Sequence, residues 1–132
     1  MTVPVPTSYE DDLFVIRNAP RALEAAPDAL LIVGKNGEIR AVNAAAVRLT
    51  GWPRVDLLHQ PIEVLVPEDL RDSHREAREA YMRQPTDRPM GQGLKIDMLH
   101  RDGSLTPVEV LLGVLEADDI YIVATVRRVD TA

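Results

Sequence analysis

The sequence predicts a single α+β domain, in which a five-stranded antiparallel sheet carries short helices and one longer helix on one face. Two observations predict this class. Three segments in the C-terminal third alternate apolar and polar residues with a period of two, which is typical of β-strands. Two short apolar segments and a cluster of short helical segments precede them, so the predicted order is two strands, several helices and three strands.

The N-terminal half predicts two strands followed by a capped helix. Ala29 to Val33 is apolar throughout, as in a strand that is buried on both faces. Asn36-Gly37 favours a two-residue turn with positive φ at both positions, leading into a second strand from Ile39 to Val42. Asn43 is a preferred N-cap for the helix that follows, and Gly51 suits the left-handed residue that ends it.

Short helical turns are predicted for residues 54–65, and a longer helix is predicted from Pro67 to Met82. Proline suits the first position of a helix, because the N–H that it lacks has no intrahelical partner there. We expect the inward face of this helix to carry residues that recur at helical spacing. They are Leu70, His74, Ala77 and Tyr81.

The three C-terminal strands should each place alternate side chains on the same face of the sheet. Asp102-Gly103 and Asp118-Asp119 mark the turns between these strands. We expect the face toward the helices to be apolar. Its residues are Leu94, Ile96, Met98, Val108, Val110, Leu112, Ile122, Ala124 and Val126.

The composition argues against several function classes. Cysteine is absent, which excludes disulfides, Cys-ligated metal sites and thiolate catalysis. The net charge of -6 argues against binding to nucleic acids and to anionic membranes. No apolar run is long enough to span a bilayer, and no residues match a catalytic or metal-binding motif. We therefore expect a cytoplasmic protein that is not an enzyme.

Several segments, taken in order, resemble motifs of the PAS family of sensor domains. They are residues 23–31 at the entry to the first strand, residues 43–52 with the Asn-capped helix, Val66-Pro67-Glu68-Asp69 at the start of the longer helix, and residues 101–104 and 107–110 in the hairpin. The resemblance covers residues 22–129. It implies that residues 1–21 form an N-terminal extension with a short helix, and that residues 130–132 begin a linker to an output domain.

The resemblance implies a sensor that regulates a linked output, such as a kinase, a phosphatase or a sigma-factor regulator. It also implies a ligand pocket between the sheet and the longer helix. The expected contacts are His74, Ala77, Tyr81, Leu94, Ile96, Met98, Val108, Val110, Leu112, Ile122 and Ala124. Because only 4% of the residues are aromatic, the pocket would suit a flexible apolar ligand such as a fatty acid. The alternative is a filled core, in a module that only dimerises or binds other proteins.

The resemblance also bears on cofactors. Haem-binding PAS sensors place an iron-ligating histidine at a point similar to His74, which keeps a haem sensor open as a further alternative. The position that matches their distal arginine is Leu94. The light-sensing flavin branch uses a cysteine for its adduct, so the absence of cysteine argues against flavin.

The outer face of the predicted sheet is less polar than a face in contact with water should be. It carries Leu99, Leu111, Tyr121 and Val123. A short helix predicted over residues 9–18 presents Leu13, Phe14 and Ile16. We expect this helix to cover the outer face, either from a second copy in a homodimer or from the same chain.

Overall fold

The computed structural model describes residues 18–87 and 93–129, so the helix predicted over residues 9–18 lies almost wholly outside the described residues. In chain order, the elements are helix α1 (18–25), strands β1 (Ala29–Val33) and β2 (Ile39–Val42), helices α2 (Ala44–Thr50) and α3 (Arg54–Leu57), two 3₁₀ turns (Ile62–Leu65 and Glu68–Leu70), helix α4 (Arg71–Arg83), and strands β3 (Leu94–Leu99), β4 (Leu105–Glu116) and β5 (Ile120–Arg128). The strands form one antiparallel sheet in the order β2-β1-β5-β4-β3. The predicted α+β class is confirmed.

The strand pairing determines which side chains share a face of the sheet. Leu94 pairs with Val110, and Leu112 pairs with Ala124. Residues that oppose each other in antiparallel strands lie on the same face, so the predicted inward set shares the face toward the helices. The core forms on this side of the sheet. Its buried apolar residues include Leu31, Ile39, Leu57, Met98, Val108 and Val126.

Strand β1 is fully buried on one face only, which corrects the expectation that both faces would be covered. Its alternate residues from Ala29 to Val33 are buried, whereas Leu30 and Ile32 are half-buried. Ile32 pairs with Val123 of β5, which is also half-buried. The outer face of the sheet is therefore apolar in its own right. For this reason, the apolar sequence of β1 could not indicate whether the outer face of the strand is covered.

The turn between β1 and β2 differs from the predicted two-residue turn. Gly37 has a φ of 86°, but Asn36 does not have a positive φ. The N–H of Gly37 donates to the carbonyl of Gly34 over 2.9 Å, and the N–H of Gly34 donates to the carbonyl of Glu38 over 2.9 Å. These bonds close a three-residue loop, in which a left-handed glycine follows an ordinary turn. Only the second residue of the Asn-Gly pair needs the freedom of glycine.

Helix α2 begins and ends as predicted. The Oδ1 atom of Asn43 accepts a hydrogen bond of 3.0 Å from the N–H of Ala46, which makes Asn43 the N-cap. Gly51 ends the helix with a φ of 75°, and its N–H donates to the carbonyl of Val47 over 3.0 Å. The two caps fix the helix against the inner face of β1.

Asn43 also joins three parts of the fold. Its Oδ1 accepts from the N–H of Leu30 in β1 over 2.9 Å. Its Nδ2 donates to the carbonyl of Leu23 in α1 over 2.9 Å and to that of Asp28 over 3.0 Å. Asn43 is completely buried, and these bonds with the cap satisfy its amide. One neutral side chain therefore holds α1, β1 and α2 together.

Helix α4 begins later than predicted and remains partly separated from the sheet. Pro67 is extended, with a ψ of 141°, and a 3₁₀ turn precedes the first α-helical residue, Arg71. Such turns are common at the start of helices. Leu70 is 50% exposed, so its predicted place on the inward face is wrong. No residue of α4 is fully buried, and a space lies between this helix and the sheet.

Candidate functional site

A cavity of about 290 Å³ lies between the inner face of the sheet and α4. All of the contacts predicted from the sequence line it. They are His74, Ala77, Tyr81, Leu94, Ile96, Met98, Val108, Val110, Leu112, Ile122 and Ala124. The lining also includes Leu31, Val33, Gly34, Ile62, Leu65, Val66, Arg78, Met82 and Val126. Among residues 18–87 and 93–129, the core is therefore not filled at this position.

The sheet wall of the cavity is aliphatic. Its side chains come from β1, β3, β4 and β5, and they include neither a charged group nor an aromatic ring. Ala124 lies between its cross-strand partners Leu31 and Leu112. The small side chain of Ala124 leaves space between these two larger ones. A wall of this kind attracts a ligand by burial of apolar surface rather than by hydrogen bonds.

The helix wall mixes apolar and polar groups. His74, Ala77, Arg78 and Tyr81 recur at the spacing that aligns side chains along one face of α4. The hydroxyl of Tyr81 donates to the carbonyl of Thr86, just beyond the end of the helix. These residues face the aliphatic sheet across the cavity, so the polar groups of the lining are concentrated on one side.

The loop after α4 is fastened to the sheet. Oδ1 of Asp87 accepts a hydrogen bond of 2.9 Å from the N–H of Val114 in β4. β4 pairs with β3 only as far as Val110, so the edge of β4 beyond that point has backbone groups that β3 does not bind. Asp87 takes one of these N–H groups. The bond holds the C-terminal end of α4 close to the sheet.

A buried charge cluster forms the polar end of the cavity. Glu63 lies in the first 3₁₀ turn, and its side chain is 2% exposed. Its carboxylate accepts from Nε of Arg78 over 2.9 Å and from Nη2 of Arg78 over 3.1 Å. Nδ1 of His74 lies 2.6 Å from the same carboxylate. Arg78 and His74 line the cavity, and Glu63 lies behind them.

The charge state of this cluster follows from the environment of Glu63. Burial by itself would raise the pKa of the Glu63 carboxyl, but hydrogen bonds from Arg78 and His74 outweigh burial and lower its pKa below the ordinary 4.5. Glu63 is therefore ionised at neutral pH. An ionised carboxylate only accepts hydrogen bonds, so Nδ1 of His74 carries the proton and donates to Glu63.

Glu63 and Arg78 were missed by the sequence analysis, although the sequence contains a weak signal for each. Glu63 is the one acidic residue in the otherwise apolar stretch from Ile62 to Val66. Arg78 follows His74 by one helical turn and so shares its face. An acid within an apolar run and a base on an inward helical face are the pattern of a buried ion pair.

Comparison with known proteins identifies the family. A family model for the PAS fold matches residues 18–129. The chain belongs to the PAS family. PAS domains are sensory modules of signalling proteins, and the resemblance described above is thereby confirmed.

Curated relatives of this PAS domain are sensors. It is 27% identical to the sensor protein FixL of Bradyrhizobium diazoefficiens over 95 residues, which cover 72% of this chain and 19% of that protein. It is 29% identical to the oxygen sensor protein DosP of Escherichia coli over 111 residues, which cover 80% of this chain and 13% of that protein. The chain thus spans less than a fifth of the length of these relatives.

Solved structures show the same fold at low sequence identity. A PAS domain of an HTR-like protein from Haloarcula marismortui has a TM-score of 0.68 at 18% identity, covering 89% of this chain and 99% of that one. An RNA-binding light-oxygen-voltage receptor has a TM-score of 0.78 at 16% identity, covering 97% of this chain and 37% of that one. Within residues 18–87 and 93–129, no helix is both long and apolar enough to cross a membrane.

Proposed function

We propose that this PAS domain senses a small, flexible aliphatic molecule of the fatty-acyl type and transmits its binding to a linked output domain. One observation carries the proposal: the 290 Å³ cavity has an aliphatic sheet wall that faces a few polar groups on α4. Ligand pockets in proteins are mostly apolar, with a few polar groups that orient the ligand. Both features are present in this cavity.

The lining favours a linear chain over a planar ring system. Tyr81 is the only aromatic residue among the described residues of the lining, so stacking surfaces are scarce. Each methylene group that a chain buries contributes about 0.8 kcal/mol, which corresponds to about fourfold in affinity. An aliphatic chain can therefore bind through burial alone, without a dense set of hydrogen bonds.

Strand β5 offers a path from the cavity to the C-terminal end of the domain. Ile122, Ala124 and Val126 line the cavity, and the neighbouring Arg127 bonds to Asp28 through its Nε over 2.9 Å. A ligand that changes the packing of β5 would also act on the segment that follows it. We propose that this segment leads to a kinase, a phosphatase or a sigma-factor regulator in the cytoplasm, which ligand binding would bias by shifting populations.

Calorimetric titration with straight-chain alcohols of increasing length tests the proposal. Affinity should rise about fourfold with each added methylene until the cavity is full. Ala124→Leu adds volume inside the cavity and should weaken binding at least about tenfold, because the ligand must then compete with the new side chain.

Thr125→Leu is the matched control, since it adds a similar side chain to the outer face of the same strand and should leave the affinity within about twofold. Affinity that does not depend on chain length, or equal losses in both variants, would mean that the cavity is not the binding site. A protein that binds none of the alcohols would be an interaction module without a ligand.

Haem is a second candidate, because the related DosP protein is named an oxygen sensor and His74 lines the cavity. Metal-ligating histidines usually donate their other ring N–H to a carboxylate, as His74 does to Glu63. The rest of the described lining does not fit haem. Arg78 already pairs with Glu63, which leaves the haem propionates without a free cation, and Leu94 adds only apolar surface. Visible absorption that disappears in His74→Ala would establish haem instead.

We further propose that the outer face of the sheet mediates a homodimer together with the N-terminal helix that the sequence predicts over residues 9–18. Leu115 is 40% exposed, and Leu111, Tyr121 and Val123 are half-buried on this side or at its rim. Exposed apolar surface of this kind marks interaction sites. The mass of the native protein distinguishes the dimer from intramolecular cover.

A further inference from the structure

The positive charge at the polar end of the cavity is already neutralised. Arg78 carries the only permanent charge among the described lining residues. Two of its donors, Nε and Nη2, bond to the two oxygens of Glu63, and the Arg78 side chain is 14% exposed. Bidentate pairs of this kind are strong and fix their geometry. The ion pair therefore presents no net charge to a ligand.

The β1–β2 turn also packs against Arg78. Gly37, in this turn, lies directly against the guanidinium, so closely that a methyl group on Gly37 would clash with it. The guanidinium thus contacts the backbone of that turn as well as the carboxylate of Glu63. A ligand that needs the full charge of Arg78 has to displace it from both contacts.

His74 has one ring nitrogen that can accept a hydrogen bond when the imidazole is neutral. Because Nδ1 donates to the ionised Glu63, Nε2 is the nitrogen with a lone pair in the neutral imidazole. A lone pair accepts a hydrogen bond from a hydroxyl group but repels a carboxylate oxygen. A neutral His74 therefore favours an uncharged head group, as the paired Arg78 does.

We propose that Glu63 determines head-group specificity: by pairing with Arg78 and His74, it selects an aliphatic ligand with an uncharged, hydrogen-bonding head group over one with a carboxylate. This inference rests on the proposed function, since it concerns the polar end of the same cavity. A carboxylate that enters the cavity loses its water without gaining a free cation, which is costly. A hydroxyl group loses less and finds partners.

The test compares 1-decanol with decanoate by calorimetric titration at about pH 8, where an aliphatic carboxyl group is ionised. The wild-type domain should bind decanol at least about tenfold more tightly. Glu63→Gln keeps the shape of the side chain but removes its charge, so that Arg78 becomes available to the ligand. The ratio should then shift toward decanoate by at least about tenfold. The double variant Glu63→Gln/Arg78→Gln has no net charge again and should regain the preference for decanol.

The outcomes separate this inference from the proposed function. If decanoate binds the wild type as tightly as decanol, the cavity holds an aliphatic chain but Glu63 does not select its head group. An unchanged ratio in a folded Glu63→Gln would have the same meaning. Because the wild-type comparison needs no substitution, equal binding of the two compounds would overturn the inference even if that variant does not fold. If neither compound binds, the proposed function fails as well.

Discussion

Two buried polar side chains organise this domain in different ways. Asn43 is neutral, and its bonds to α1, β1 and α2 join elements on one side of the fold. Glu63 is charged, and its bonds to Arg78 and His74 hold α4 beside the cavity. The side chain of Asn43 bonds only to backbone groups, whereas Glu63 bonds to side chains that also line the cavity. The first side chain therefore supports the fold, and the second links the fold to the ligand.

The difference predicts that the neutral site is costlier to disrupt than the charged one. Asn43→Ala removes the helix cap and leaves partly buried backbone groups of β1 and α1 without the partner that Asn43 provides, which should lower the free energy of unfolding by about 2–4 kcal/mol. Urea unfolding measures this loss. Arg48→Ala changes an exposed residue of the same helix and should cost no more than about 0.5 kcal/mol. A loss below about 1 kcal/mol for Asn43→Ala would contradict the role assigned to it.

The contribution of Glu63 to stability should depend on pH. Glu63→Gln should cost about 1–2 kcal/mol of unfolding free energy at neutral pH, because Gln is a weaker acceptor for Arg78 and His74. The pKa of Glu63 is lowered on folding, so its contribution is fully present above 4.5 and is lost as the pH falls through the lower folded value. The stability difference between wild type and Glu63→Gln should thus shrink as the pH falls below 4.5. Urea unfolding curves that stay equally far apart over this range would contradict the account.

The ion pair between Arg54 and Glu24 is exposed, and its disruption should have the smallest effect on stability. Nη2 of Arg54 bonds to both carboxylate oxygens of Glu24 over 2.7 Å, but the side chains are 44% and 48% exposed. Exposed ion pairs contribute little and are screened by salt, so Glu24→Gln should cost less than about 1 kcal/mol of unfolding free energy. Thermal unfolding of wild type and variant at low and high salt measures this cost. Equal costs for the two Glu→Gln variants would show that burial of Glu63 has no energetic consequence.

Patterns that depend on local chemistry allowed most of the fold to be predicted. The periods of Leu94 to Met98 and of Ile122 to Val126 identified both the strands and the inward face, because a period of two has only one structural meaning. The cap at Asn43 and the end of α2 at Gly51 were predicted for the same reason, since each depends on a single residue type. The cavity lining was predicted from these faces together with the pocket position that the PAS resemblance implies.

Features that depend on tertiary structure could not be predicted in this way. Glu63 and Arg78 meet across fifteen positions of sequence, and neither position alone indicates the pair. No local sequence pattern indicates that α4 is partly separated from the sheet. By spacing alone, Leu70 and Ala77 fit the inward face of the helix equally well. Only the packing of the whole domain decides that Leu70 is exposed and that a space remains beneath the helix.

A native mass spectrum of the purified domain, recorded beside a denatured one, tests the central claim most directly. The account predicts an extra mass of lipid size, present in the native wild type and in Thr125→Leu, lost on denaturation and absent from Ala124→Leu. The mass of the protein in the native spectrum also shows whether it forms the predicted dimer. A wild-type protein that stays at its bare mass after incubation with decanol would contradict the claim that this cavity binds an aliphatic ligand.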